Sequence, residues 1–413
     1  MTLIRPFAAL CPAPGRANDV VAPPYDVVSQ EEARHRATGR PWSFLHVSRA
    51  EIDLPAGTDP YSQAVYAKAV ENLRAMVTAG VLVQEPSPSY WVYRLIMGDH
   101  VQTGLVAAAS VVAYDQGRIR RHELTRPDKE DDRVRQIDAL NAQTGPVLLA
   151  YRDHETVRAL LAAASVNPAE MDVTADDGVR HLLWGVRDSA AVAQITALFD
   201  GMERLYIADG HHRSAAASRV AALRRTAKEK NDAPWEYFLA VLFPDREMRI
   251  LDYNRVIKDL NGLSRDELLH RVATAFQVET RDKPVHPSQP GEYGMYLPGQ
   301  WYQLTVNPNL IPSDPVARLD VSLLQDHLIG PILGVADPRR DKRIDFVGGI
   351  RGLGELQHRV DQGEMAVAFA LHPTTLSDLM AVADADQIMP PKSTWFEPKL
   401  ADGLVSHLLS AVS

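Results

Sequence analysis

Residues 206–219 read YIADGHHRSAAASR. Tyr206 to Ala208 are apolar, and an alanine-rich stretch at helical spacing opens at Ser214. A strand must therefore end and a helix begin within five polar or glycine residues. A short buried strand feeding straight into a helix belongs to chains in which strands and helices alternate. Gly210 permits the tight turn because it has no Cβ. The N–H groups and dipole of the helix start favour an anion. Arg213 adds a guanidinium that can grip two oxygens of a phosphate or carboxylate, and His211 and His212 offer further donors. Asp209, at the strand end, can bind a cation, orient a substrate amine or hydroxyl, or take a proton. On a purely structural reading, Asp209 caps the helix and the histidines satisfy local backbone groups. A metal site built from Asp209, His211 and His212 is disfavoured, because successive side chains on a strand point to opposite faces.

The rest of the chain supports a mixed α/β (α+β) fold with helices on mixed sheets. Ser29 and Glu32 form a capping-box pattern that opens a helix. Asp59 and Pro60 read as the cap and first turn of another, with Val65, Ala69, Leu73, Met76 and Val77 as its apolar stripe and Gly80 as its stop. YWVYRLI and GLVAAASVVAY predict a hairpin joined across MGDH. Val134, Ile137 and Leu140 share a helix face, whereas PVLLAYRD, RHLLWGVRD and FLAVLFP read as strands. An exposed turn is expected over 225–234, and a loop rich in proline and glycine starts at Asp282. The expected division is an N-terminal α/β region over 1–110, a core carrying the DGHHR motif over 111–280, and a C-terminal α/β region over 281–413.

A hydrophobic fraction of 46% is enough for a sizeable core, and a net charge of −9 argues against a general nucleic-acid coat. Cys11 is the single cysteine, so neither an internal disulfide nor a thiolate metal site can form. No apolar run reaches the roughly 18 residues of a membrane span, and no signal-peptide pattern opens the chain, so a cytoplasmic location is expected.

Three further stretches carry candidate site residues. RRHELTRPDKEDDR contains Glu123, Arg126 and Lys129, and Pro127 prevents a helix from running through HELTRP. RIDFVGGIRGLGEL places Arg351 after a glycine turn, but matches neither the dinucleotide fingerprint nor the P-loop. MPPKSTWFEPK offers Lys392, along with Glu397 and Lys399, on a proline-stiffened loop, and APPYDVVS offers Asp26.

DGHHRSAAASR resembles the phosphate-binding signature of the ParB/sulfiredoxin-like superfamily, and the DGHHR version resembles the free serine kinases within it. RPFAAL, VAPPYDVVS, SFLHVSRAEIDLP, HELTRPDKEDDR, YIADGHHR, DPRRDKRIDFVGGIRG and MPPKSTWFEPKL, in that order, resemble the bacterial family known as domain of unknown function 1015 (DUF1015). At least one member of that family is understood to be a pyrophosphate-dependent serine kinase. The resemblance implies a ParB/sulfiredoxin-like phosphate-binding core and a kinase that converts free L-serine to O-phospho-L-serine. Pyrophosphate, ADP or ATP would be the donor, with Mg²⁺ to offset its charge. Gly210, His211, His212, Arg213, Arg126 and Lys129 would then hold the donor, and Asp209 or Glu123 would handle the acceptor proton. Asp26, Arg351 and Lys392 are additional candidates. A ParB-like nucleotide-binding switch and a phosphatase or hydrolase using the same anion pocket are the alternatives. The metal ligands and the oligomeric state stay open.

Overall fold

The computed structural model describes residues 2–225 and 232–410, so most of the turn expected over 225–234 lies outside the described residues. The chain divides into two compact units, Met1–Met248 with Pro398–Ser413, and Arg249–Glu397. The boundary expected at 110/111 falls at the end of a strand, His100–Ser110, that pairs with Tyr237–Pro244 in the same sheet. The one expected at 280/281 falls inside strand Phe276–Arg281. Contacts between strands remote in sequence override both cuts.

The first unit is built on a nine-stranded mixed sheet. In spatial order its strands are Ile119–Arg120, Leu205–Asp209, Val147–Tyr151, Tyr237–Pro244, His100–Ser110, Tyr90–Met97, Arg180–Val186 and Met171–Thr174, with Ile4–Arg5 also on His100–Ser110. Leu205–Asp209 runs parallel to Ile119–Arg120, Val147–Tyr151 runs parallel to Tyr237–Pro244, and the other pairings are antiparallel. Leu105, Val147, Leu149, Ile207 and Leu242 on the sheet share a buried core with Val157, Leu161, Ile195, Phe199 and Ala221 on helices. The hairpin forms as expected, with Met97 opposite His100. Its second strand stops at Ser110, however, and Val111–Asp115 is helical because the Ser110 hydroxyl accepts the Ala113 N–H.

The capping box at Ser29 and Glu32 is present. Helix Gln63–Thr78 begins later than Asp59 and Pro60 predict, since Asp59 accepts the Tyr61 N–H in a local turn instead. Val65, Ala69, Leu73 and Met76 of its stripe are buried. Helix Pro127–Leu140 places proline in its first turn, where the missing N–H costs nothing. Its Val134 and Ile137 pack on Ala216 and Val220 of helix His211–Arg224. Small side chains at 215–217 let that helix lie close to its neighbours, which places its N-terminus beside the segment leading into Pro127.

The second unit is a six-stranded antiparallel sheet ordered Phe276–Arg281, Gln300–Val306, Glu292–Leu297, Val367–Leu371, Tyr253–Ile257 and Ile344–Gly348. Helix Gly352–Asp361 covers it through Leu356 and Val360, packed with Val256, Trp301 and Ala368.

Candidate functional site

The site grows from the strand end at Asp209. Pairing with Val147–Tyr151 slips in register between Ile207 and Asp209, and such an irregularity re-aims the side chain at the strand terminus. Gly210 follows at φ 98°, a left-handed conformation that a side chain would strain, and helix His211–Arg224 starts at once. The strand and the helix are therefore joined by a single residue.

Asp209 does not cap this helix through its side chain. Its carboxylate accepts a hydrogen bond from Lys399 Nζ at 3.2 Å, and Arg213 Nη2 lies 3.5 Å from its other oxygen. Burial alone would raise this carboxyl, but Lys399 and Arg213 outweigh that effect and hold it well below the usual carboxylate range. The Asp209 side chain is 34% exposed and that of Arg213 11%. Arg213 Nη1 also donates to the Pro146 carbonyl. Although desolvation disfavours its charge, Asp209 and Asp26 offset this and raise its pKa.

The two histidines of the motif face different neighbours. His211 stacks edge-on against His122 at 4.5 Å, and its Nε2 accepts the His122 backbone N–H at 3.4 Å. Both rings are buried, and desolvation keeps them neutral, lowering His122 to about 4 and His211 well below its ordinary value. With Nε2 an acceptor, the neutral His211 ring carries its proton on Nδ1, which lies 3.9 Å from a Glu123 oxygen. His212 Nε2 instead accepts the Arg126 backbone N–H at 3.0 Å, and burial lowers its pKa. Asp209, His211 and His212 accordingly do not form a ligand set. Among the described residues, His122, Glu123 and His211 do bring one ligand atom each within 4.8 Å of one another.

Other expected site residues are placed differently. Arg126 meets the motif through its backbone, while its mostly exposed guanidinium pairs with Asp128 at 2.8 Å. Lys129 Nζ donates to the Tyr61 hydroxyl at 2.7 Å. Asp26 is exposed, and its charge acts on Arg213 and His212. Arg351 and Lys392 lie in the second unit, Arg351 at 3.8 Å from Glu355 and Lys392 over the Tyr253 ring at 5.6 Å.

Three residues that sequence reasoning did not single out, Tyr25, Arg133 and Asp402, lie together here, and Lys399, named there only as part of the proline-stiffened loop, reaches Asp209. Arg133 lies over the Tyr25 ring at 3.9 Å and is paired with Asp132 at 2.6 Å. Asp402 is 2% exposed. Desolvation raises its carboxyl to about 7, against the lowering pull of Arg213. The available signals were Tyr25 beside Asp26 in PPYD, and Lys399 with Asp402 in EPKLADG.

A mixed α/β protein with a strand-end carboxylate held by two cations at a helix start is the class that fold and site define. The sequence profile of a family described as protein of unknown function (DUF1015) matches residues 4–322, and the chain belongs to that family. No curated protein matches the chain. Among solved structures it is similar to a free serine kinase in complex with AMP, at 12% identity and a TM-score of 0.36, over 72% of this chain and 92% of that one. It is also similar to SbnI with a C-terminal truncation from Staphylococcus aureus, at 12% identity and a TM-score of 0.40, over 75% and 90% of the two chains. A conserved hypothetical protein from Pyrococcus furiosus is similar at 13% identity and a TM-score of 0.35, over 75% and 98%. Among the described residues, no helix is long and apolar enough to cross a membrane.

Proposed function

We propose that the chain is a phosphotransferase that makes O-phospho-L-serine from free L-serine, with pyrophosphate or a nucleotide as donor. One observation carries this reading: the partly exposed Asp209 carboxylate sits between Lys399 and Arg213 at the start of helix His211–Arg224. Two cations and a helix N-terminus are what the terminal phosphates of such a donor require. Phosphoryl transfer demands charge neutralisation, in-line placement and an acceptor for the hydroxyl proton, and little covalent help.

The serine hydroxyl oxygen attacks the donor's terminal phosphorus, and the phosphorus bond to the leaving group breaks. Orthophosphate leaves from pyrophosphate, AMP from ADP, or ADP from ATP. The hydroxyl proton goes to Glu123, because Asp209, held far below the ordinary carboxylate range, is the weaker base. Glu123 is half-exposed, and the protonated Nδ1 edge of His211 orients it from behind. Asp209 fixes the two cations. Mg²⁺, a hard cation, would arrive on the donor and offset its charge, and the partly exposed Asp209 carboxylate is a group that would meet it.

The test is incubation of purified protein with Mg²⁺, L-serine and each of pyrophosphate, ADP and ATP, with phosphoserine as the readout. Serine-dependent phosphoserine supports the reading. Orthophosphate released equally without serine makes the protein a hydrolase, and tight nucleotide binding without turnover makes it a switch.

A further inference from the structure

Behind Arg213 the first unit contains a cavity of about 30 Å³, lined among others by Tyr25, Ser48, Arg133, Gly145, Arg213 and Asp402. A single water needs roughly 10–15 Å³ measured this way, so the space holds about two small polar groups. Its wall combines apolar side chains, among them Ile137, Val147 and Phe238, with charged and hydroxyl groups that the lining of a dry cavity lacks. Two of the buried groups are unsatisfied: Asp402 Oδ1 and the Ser48 hydroxyl have no hydrogen-bond partner among the described residues. A buried carboxylate oxygen left in this state costs free energy unless a donor meets it. Asp132 accepts from Arg133 through Nε and Nη2, and Nη1 makes no hydrogen bond among the described residues. Cationic and anionic partners therefore stand on one small cavity.

Gly145 keeps that space open. A Cβ built there would lie 3.4 Å from Arg213 Cδ and 3.6 Å from Asp402 Oδ1, in ordinary contact with both. Arg213 forms part of the cavity wall and also lies beside Asp209, so the cavity abuts the strand-end site.

We propose that this cavity binds the zwitterionic head of an α-amino acid, with the ammonium on Asp402 and Ser48 and the carboxylate on Arg133. The assignment rests on the phosphotransferase reading for its choice of L-serine as the acceptor, but on the cavity alone for the chemistry of the head group. A ligand with only an anion would leave Asp402 Oδ1 unmet, and one with only an amine would leave the Nη1 edge of Arg133 unmet. Arg213, on the cavity wall and beside Asp209, then borders both the acceptor and the donor.

The experiment is calorimetric binding of L-serine to the full chain without donor, beside steady-state kinetics. L-Serine binds the parent protein, while ethanolamine, which lacks the carboxylate, and 3-hydroxypropionate, which lacks the ammonium, bind at least about tenfold more weakly. Asp402→Asn and Gly145→Val each raise the L-serine Kd and KM at least about tenfold, and leave the donor KM within about twofold. Gly145→Val removes no polar group, so it carries the test if Asp402→Asn fails to fold. If phosphoserine forms but the serine KM is the same in both folded variants, the cavity assignment is overturned and the kinase reading stands. If no donor yields phosphoserine but amino-acid binding still depends on Asp402, the assignment stands and the kinase reading falls. Equal binding of ethanolamine and L-serine also overturns the assignment.

Discussion

Replacing Lys399 with methionine removes one positive charge from the site while keeping most of the side-chain volume. Lys399 Nζ lies 3.2 Å from the Asp209 carboxylate. A donor phosphate bound beside Asp209 would feel the same ammonium at a similar distance. At ~3.2 Å two unit charges interact by ~1.3 kcal/mol at the dielectric of water, and by ~2.6 kcal/mol at half that value. Asp209 is one-third exposed, which puts the site toward the weaker end. Since 1.4 kcal/mol is a factor of ten, the donor KM and Kd should rise roughly ten- to eighty-fold. Fold stability should change little, because Arg213 remains as a counter-charge for Asp209. The assay is steady-state phosphoserine formation across donor concentrations, with direct donor binding and thermal melts on the same preparations. Lys392→Met serves as the control, because Lys392 packs on Tyr253 in the second unit. A folded Lys399→Met protein with its donor KM within about twofold of the parent would refute the charge argument. So would an equal loss in Lys392→Met.

Gly210→Ala should destabilise the first unit by about 1–2 kcal/mol, the cost of a left-handed non-glycine residue, and lower its melting temperature by several degrees. Its new Cβ would press on the Arg213 guanidinium at 3.1 Å, so turnover should fall as well; an unchanged melt and unchanged activity would count against this turn. Asp402 has a raised folded pKa of about 7, so the folded state holds a proton that the unfolded state releases from about pH 4 upward. The contribution of Asp402 to stability therefore declines from about pH 4 to 7, and that contribution should be isolated when the pH dependence of Asp402→Asn melts is subtracted from that of the parent. His122, His181 and His407 are each held down to about 4 by burial. Their folded forms stay neutral while unfolded histidines charge, so stability from these groups is lost as pH falls from about 6.5 toward 4. Proton NMR should show that the imidazoles of His122, His181 and His407, like that of His211, do not titrate near 6.5, and titration there would contradict their burial.

Local rules were readable where the deciding atoms lie a few residues apart. The Ser29–Glu32 box, the hairpin over 90–110 and the strand-to-helix turn at Gly210 belong to this kind. Element extents were less readable, because Ser110 and Asp59 each spend their side chains on a competing local turn. The site was half legible. Asp209, Gly210, His211 and Arg213 adjoin one another in the chain and in space. Lys399 meets Asp209 from 190 positions away, and no periodicity reveals such a meeting. Lys392 looked equivalent on its proline loop, yet only Lys399 belongs to the same unit as Asp209. Arg126 and Lys129 looked like phosphate clamps, but Asp128 and Tyr61 engage their charged ends.

The first unit is completed by Pro398–Ser413, after the chain has built the whole of Arg249–Glu397. Lys399 and Asp402 both lie on that late segment. A ribosome releasing this polypeptide from N- to C-terminus thus finishes the sheet around Asp209 long before it delivers the counter-ion and the buried acid. The pocket is assembled last, so a nascent chain stopped near residue 397 would carry the DGHHR turn without two of the groups that surround it.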